Sequence, residues 1–238
     1  MKEVPWTSHH TRLLDEYQIS LDGLNGIKGL QYKKGEFICI EGLPMIYLLF
    51  ILEGKAKVCF QTENGKNLLL CFYHSGGTIG ELELMMHDYR AKTSVQTISS
   101  VQCVGLPFTQ NSEILLSNTI FLHHAGTSLA RKLDRSTRNS AHIILDTLEA
   151  RLSSYIEITN QQGIFQDKLT DVAELLGTSY RHLLRVLEKL CTKGILEKQA
   201  RGYIIADNTA LKKTGKGFYE PVERKVPGLS RYSIQRKL

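Results

Sequence analysis

The chain has 238 residues, 42% of them hydrophobic and 23% charged, a balance typical of globular proteins and enough length for two modest domains. That composition excludes a disordered chain, a collagen and a coiled-coil rod. The longest apolar run, Met45–Leu52, has eight residues, far short of the roughly 20 that a membrane helix needs. The first residues, MKEVPWTSHHTRLLDEY, contain no apolar stretch of a secretory signal. A cytoplasmic protein without a membrane partner is therefore expected.

Thirty Lys and Arg against 24 Asp and Glu give a net charge of +6. Ala206–Leu238 holds eight bases and three acids, so that +5 of the excess sits there and only +1 in the rest. A solvated tail explains this as well as a phosphate-binding arm does. The five cysteines, Cys39, Cys59, Cys71, Cys103 and Cys191, form no CxxC and read as reduced, mostly buried small hydrophobes. Cys59 and Cys71 can oppose each other on paired strands, with packing as their expected role. His9-His10 and His123-His124 are adjacent pairs, expected at the surface, and adjacent helical residues point too far apart to chelate one ion. No metal site is expected.

In chain order, residues 1–28 read as an N-terminal extension. From Gly29 to Pro107 short apolar runs alternate with turns: FICI (37–40), IYLLFIL (46–52), AKVCF (56–60), LLLCFY (68–73), VQTI (95–98) and VQCVGL (101–106). Asn64-Gly65 between two such runs is a strong hairpin signal, because a type I′ turn needs positive φ at both central positions. This spacing predicts a β-sandwich or barrel over 29–118. Glycine and proline then nearly vanish, and 119–145 reads as one long helix. Its stripe of Leu122, Ala125, Leu129, Leu133, Ser136, Ser140 and Ile143 suits packing between two copies of the helix, or against its own barrel. Arg131, Lys132, Arg135 and Arg138 are expected opposite that stripe. Asp146-Thr147-Leu148-Glu149 has the form of a capping box and predicts a bend after Leu145.

Residues 146–206 are expected to form a compact second domain. Thr170-Asp171 can cap a helix over Val172–Leu176, Gly177 ends it, and Ser179 can cap a second helix from Tyr180 to about Lys193. Strands over Ile195–Lys198 and Tyr203–Ala206 follow, joined at Ala200-Arg201-Gly202. Two helices joined through a glycine turn and followed by a hairpin are the pattern of a winged helix-turn-helix, which points to double-stranded DNA as partner. Residues 207–238 read as a basic tail.

No GxSxG, HExxH or GxxxxGK[ST] occurs. Glu81 and Glu83 resemble a carboxylate pair but are better explained by a short helical turn after Gly80. No catalytic residue, and no enzyme, is expected.

The run GEFICIEGLPMIYLLFILEGKAKVCFQTENGKNLLLCFYHSGGTIGELELM resembles the cyclic-nucleotide-binding barrel of the CRP/FNR transcription regulators, and LTDVAELLGTSYRHLLRVLEKLCTKGIL resembles their helix-turn-helix. Both lie in family order from about Leu30 to Ile205, and GTSYRHLLRVLEKL is similar to the YeiL-type regulators within the family. The resemblance implies an α+β architecture: an N-terminal double-stranded β-helix (jelly-roll) barrel, a long dimerisation helix and a C-terminal winged helix-turn-helix. It implies a homodimer whose second motif helices enter major grooves about 34 Å apart, with RNA polymerase as a further partner. The alternatives are an interaction barrel with a degenerate winged domain and, last, a nucleotide-processing enzyme.

The family's reading positions match Ser179, Tyr180, Arg181, His182 and Arg185. Arginine can read guanine O6 and N7 with two hydrogen bonds, and Lys193, Lys198 and Arg201 near the wing are candidates for phosphates. Most members have a glutamate where this chain has Arg181, which reverses the hydrogen-bonding polarity, so the familiar operators are not expected. Gly80-Glu81-Leu82 followed by Arg90-Ala91 resembles the phosphate-binding cassette, with Glu81 toward the ribose and Arg90 toward the cyclic phosphate. Ser136 and Thr137 fall where family sensors place hydroxyls against the base. The same Glu81 and Arg90 would brace the loop of a barrel that binds nothing, and a cyclic nucleotide is not favoured. The cysteine cluster of the iron–sulfur branch is absent, since residues 1–38 hold no cysteine.

Overall fold

The computed structural model describes residues 1–17, 19–20, 22–61 and 67–219, with backbone alone for 16 and 139–145. The Asn64-Gly65 turn, the Ser140 and Ile143 side chains and the segment beyond Tyr219 lie outside the described residues.

The N-terminal half comprises β1 (Lys2–Val4), α1 (Ser8–Glu16), β2 (Lys28–Tyr32), β3 (Phe37–Cys39), β4 (Tyr47–Glu53), β5 (Ala56–Gln61), β6 (Asn67–Tyr73), β7 (Thr78–Ile79), α2 (Glu81–Met85), β8 (Ser94–Thr97) and β9 (Val101–Pro107). The strands pair antiparallel in two sheets, ordered β1-β2-β9-β4-β7 and β3-β8-β5-β6. Each expected apolar run forms a strand within a residue or two of its expected limits. β4 and β9 supply fully buried Leu48, Phe50, Ile51, Val104 and Leu106 to the core between the sheets, where the hydrophobic effect is largest.

Residues 1–28 are not an appendage. β1 extends the first sheet by pairing with β2, and α1 buries Leu13 and Leu14 in the barrel core, followed by Tyr17 and Ile19. His10, expected at the surface, is 2% exposed. It sits at the start of α1 beside Thr7, whose backbone N–H donates to His10 Nδ1 at 3.0 Å, and burial lowers its pKa.

The chain continues through α3 (Phe108–Ser117) into α4 (Thr119–Leu145), then α5 (Leu148–Thr159), β10 (Ile164–Phe165), α6 (Leu169–Leu175), α7 (Tyr180–Thr192), β11 (Leu196–Gln199), β12 (Gly202–Ile205) and α8 (Asn208–Gly215). The bend after Leu145 is present. Its cap is Thr147, whose hydroxyl accepts from the Ala150 N–H at 3.3 Å, while Asp146 pairs with Lys216 at 3.2 Å. The expected Asp146–Glu149 box does not form. Helix α6 likewise begins earlier than expected, with Lys168 and not Thr170 at its N-cap.

The expected stripe on α4 divides into two faces. Phe121 and Ala125 are buried on the barrel, and Ser128, Lys132 and Arg135 continue that side with hydrogen bonds to Glu81, Thr78 and Phe72. Lys132 and Arg135 therefore do not share the solvent side with Arg131 and Arg138. Leu133 is 69% exposed, and Gly126 is exposed with nothing within 4 Å of where a Cβ would be.

Residues 207–219 are also folded. Asp207 caps α8 through the Ala210 N–H at 2.9 Å, Leu211 is fully buried, and Phe218 and Tyr219 close the second core. That core spans both halves: Cys59, Leu69 and Phe72 of the barrel join Tyr155, Phe165 and Leu187. Phe72 meets Tyr155 at 6.0 Å and Tyr219 edge-on at 5.6 Å between ring centroids. Cys59 and Cys71 do not oppose each other, because a bulge pairs Val58 with Cys71 and Cys59 with Leu69. No described helix is long and apolar enough to cross a membrane.

Candidate functional site

Helices α6 and α7 meet at a turn that only glycine adopts readily. Gly177 has φ +60°, and its N–H closes α6 on the Glu174 carbonyl at 2.9 Å. The neighbouring Leu176 carbonyl accepts from Arg151 Nη1 at 2.7 Å, so α5 holds the turn. Ser179 then caps α7, its Oγ accepting from the His182 N–H at 3.2 Å.

The apolar period of α7 sets its orientation. Leu183, Val186, Leu187 and Leu190 are buried, which leaves Tyr180, Arg181, His182 and Arg185 exposed on the first turns. Arg181 and Arg185 are four residues apart on one face. The wing turn at Ala200-Arg201 presents exposed Lys198 and Arg201. Lys193 does not join them. It is the C-cap of α7, at the end away from Ser179, and its ammonium lies 2.6 Å from Glu149, which also holds Lys189 at 2.5 Å. Burial opposes the Glu149 charge, but the two lysines outweigh it and lower the carboxyl pKa.

A second site lies between the barrel and α4, a cavity of about 340 Å³. Gly80 makes its floor possible. It has φ +103°, and a Cβ there would stand 3.0 Å from the Phe108 ring, so α2 begins close against the barrel. Gly80, Glu81, Leu82 and Ser136 line the cavity. Arg90, Ala91 and Thr137 do not. Arg90 is exposed and donates to the Gly42 carbonyl at 3.0 Å; Ala91 is packed into the barrel core; Thr137 returns its hydroxyl to the Leu133 carbonyl at 3.0 Å.

Of the residues that dominate the polar side of the cavity, the sequence singled out Glu81 but not its partners Ser128 and Lys132, nor Arg135. Glu81 is fully buried, and Lys132 reaches it from α4 at 2.5 Å. Ser128 donates to the same carboxylate oxygen at 2.9 Å, and the ammonium sits 4.7 Å over the Tyr73 ring. Burial alone would depress the Lys132 pKa, yet Glu81 and Tyr73 raise it overall, so the lysine stays charged. Arg135 reaches the Phe72 carbonyl at 3.4 Å. Cys39 and Cys71 also face the cavity; burial pushes the Cys39 thiol up to about 12 and raises that of Cys71, which leaves both poor nucleophiles. No group of three or more potential metal ligands occurs among the described residues.

The chain is similar to known proteins over most of its length. The cyclic nucleotide-binding domain family matches residues 30–118. The chain is 31% identical over 180 residues to the regulatory protein YeiL of Escherichia coli O157:H7, covering 74% of this chain and 80% of that protein. It is 22% identical over 195 residues to the CRP-like cAMP-activated global transcriptional regulator of Mycobacterium tuberculosis H37Rv, covering 78% and 87%. A solved structure assigned as a CRP/FNR-family transcriptional regulator from Eubacterium rectale superposes with TM-score 0.71 at 14% identity, over 89% of this chain and 95% of that one. These relatives are regulators and not enzymes. With its jelly-roll barrel, long helix and winged helical half, the chain belongs to the CRP/FNR family of transcriptional regulators.

Proposed function

We propose that the protein is a sequence-specific DNA-binding regulator that acts as a homodimer, with α7 as its reading helix and RNA polymerase as the further partner its family implies. The carrying observation is the exposed first turns of α7, where Tyr180, Arg181, His182 and Arg185 stand clear of the packed face. Ser179 and the neighbouring free amides can hold a phosphate at the helix start, Arg181 and Arg185 can each read a guanine edge, and Lys198 and Arg201 fit phosphate contacts along the wing. Lys193, occupied by Glu149, has no part in this set.

The dimer face in this reading is the stripe of α4 with Leu122, Gly126, Leu129, Leu133 and Ser136 at alternating steps of four and three, which borders the barrel at Leu122 and the rim of the cavity at Leu129, Leu133 and Ser136. Gly126 permits close approach of a second helix, and Leu133 would leave water. Two-fold symmetry also doubles the phosphate contacts of a single winged module. The barrel serves as sensor: Arg135 lines the cavity and touches the Phe72 carbonyl, and the Phe72 ring packs on Tyr155 and Tyr219 of the winged half.

Selection by the purified protein from a library of randomised duplexes tests the reading. Enrichment of a two-fold symmetric sequence with half-site centres one helical turn apart is expected. Uniform retention of all duplexes, or none, would favour an interaction barrel with a degenerate winged domain.

A further inference from the structure

Apolar packing joins α5 to α7: Leu148, Leu152 and Ile156 share the second core with Leu183, Leu187 and Leu190. Such packing is non-directional. It holds the two helices together without fixing how far α7 is rotated about its axis or slid along its neighbour. Base reading depends on both. A rotation of α7 by about 10° would carry a guanidinium roughly 7 Å from the helix axis by about 1 Å, and hydrogen bonds span only about 2.7–3.2 Å.

Two residues of α5 supply directed contacts, one toward each end of α7. Arg151 donates from Nη1 to the Leu176 carbonyl at 2.7 Å, just before the Gly177 turn that leads into α7. Glu149 holds the far end. Its Oε2 lies 2.5 Å from Lys189 Nζ and its Oε1 2.6 Å from Lys193 Nζ, so one carboxylate spans the last turn of α7. The acid side chain is 13% exposed, against 56% and 47% for the lysines. Pairs with such wet cations add little stability; what a sheltered carboxylate gripping two points does fix is geometry. Glu149 and Arg151, two residues apart, leave opposite flanks of α5 and so oppose both rotation and sliding of α7. Glu149 also stands in the first turn of α5, directly after the bend from α4, so a change in that bend reaches α7 through this contact.

We propose that Glu149 is a positioning residue for DNA recognition: by gripping Lys189 and Lys193 it sets the rotation of α7 at which Arg181 and Arg185 meet base edges, and so determines specificity without touching DNA. This rests on the reading of α7 given above. Electrostatics alone makes a different prediction. Removing the Glu149 charge frees two cations, which would strengthen binding to every duplex alike. A misaimed reading helix instead loses preference for operator over other DNA.

The test measures the affinity of the full-length protein for the selected operator and for a scrambled duplex at one salt concentration, and takes their ratio. Glu149→Gln keeps the shape and removes the negative charge. Lys189→Met/Lys193→Met breaks the same contact but removes two positive charges, so its electrostatic effect on DNA binding has the opposite sign. Partial unfolding lowers both affinities together and leaves the ratio unmoved. In both variants the ratio is expected to fall at least about fivefold, the low end for one lost bidentate base contact, with the near-ultraviolet circular dichroism of the wild type retained. A ratio unchanged in either variant, ratios that move in opposite directions, or loss of the folded signal in both would overturn the proposal. If the wild type itself shows no preference between the duplexes, the reading of α7 falls and this proposal with it; if the wild type discriminates and the variants discriminate as well, this proposal alone falls.

Discussion

Lys132 on the long helix holds the Glu81 carboxylate of the barrel at 2.5 Å, with 1% of the acid and 25% of the lysine side chain exposed. The pair fastens α4 to the barrel at the point where the cavity lies. Removing one partner of such a pair strands the other charge, whereas removing both leaves an apolar contact. Lys132→Met should therefore cost about 2–4 kcal/mol, less than a fully buried pair because the lysine keeps some water. The double change Lys132→Met/Glu81→Leu should recover most of that loss. Urea unfolding of the three proteins checks it, and a double variant no more stable than the single would contradict the ion-pair account.

His74, which follows β6, carries a pKa lowered to about 4 by burial, then by Lys55 and Arg135. Folding thus opposes its protonation. The stabilisation it allows is present above its unfolded pKa near 6.5 and is lost as pH falls toward 4. Because the ring keeps some contact with water, the effect falls below the roughly 3.4 kcal/mol that the full shift would give, and stability should drop across that window by about 1–2 kcal/mol. In His74→Gln the drop should be shallower by that amount; an unchanged pH profile would show that His74 is not responsible.

The proposed dimer stripe of α4 makes a specific claim about assembly. Leu133→Glu places a charge at the centre of the proposed two-fold contact without disturbing the barrel, since this side chain is already 69% exposed. Sedimentation at micromolar concentration should show a dimer for the wild type and a monomer for the variant. A dimer in both would move the interface elsewhere.

Tyr219 lies at 4% exposure between the halves, its N–H donating to Ser154 Oγ at 2.9 Å. Tyr219→Ala should cost about 3 kcal/mol, in the range of buried aromatic truncations. A chain ended at Ala206 loses α8 as well and should be poorly folded, as seen by near-ultraviolet circular dichroism. Full retention of that signal would mean that residues 207–219 are dispensable.

The barrel strands and the two motif helices were legible because their signals are local: turn residues at short spacing, a 3.6-residue apolar period, and a Ser or Gly at each decisive helix end. What escaped depended on partners far away in sequence. Lys132 and Arg135 look like solvent residues until the buried Glu81, 51 positions earlier than Lys132, gives one of them a reason to face inward. The same long-range pairing moves Ala125 from the expected dimer stripe to the barrel side, leaving Gly126 in its place. Helix α1 has only Leu13 and Leu14 among nine polar-rich residues, too few for a periodic signal, and α8 hides in a segment dominated by its lysines. Arg90 has the family spacing after Glu81, but its placement depends on the loop path, and the Gly42 carbonyl captures it.

The central claim is that α7 reads sequence while the wing only positions. Fluorescence anisotropy with the selected operator and with a scrambled duplex, over a range of salt, compares Arg181→Ala with Lys198→Ala. The account predicts that Arg181→Ala loses about 1–3 kcal/mol on the operator and relaxes preference at one base pair per half-site, with little change on scrambled DNA. Lys198→Ala should weaken both duplexes alike and reduce the salt slope by about one for every phosphate no longer neutralised. Identical behaviour of the two variants on operator and scrambled DNA would contradict it.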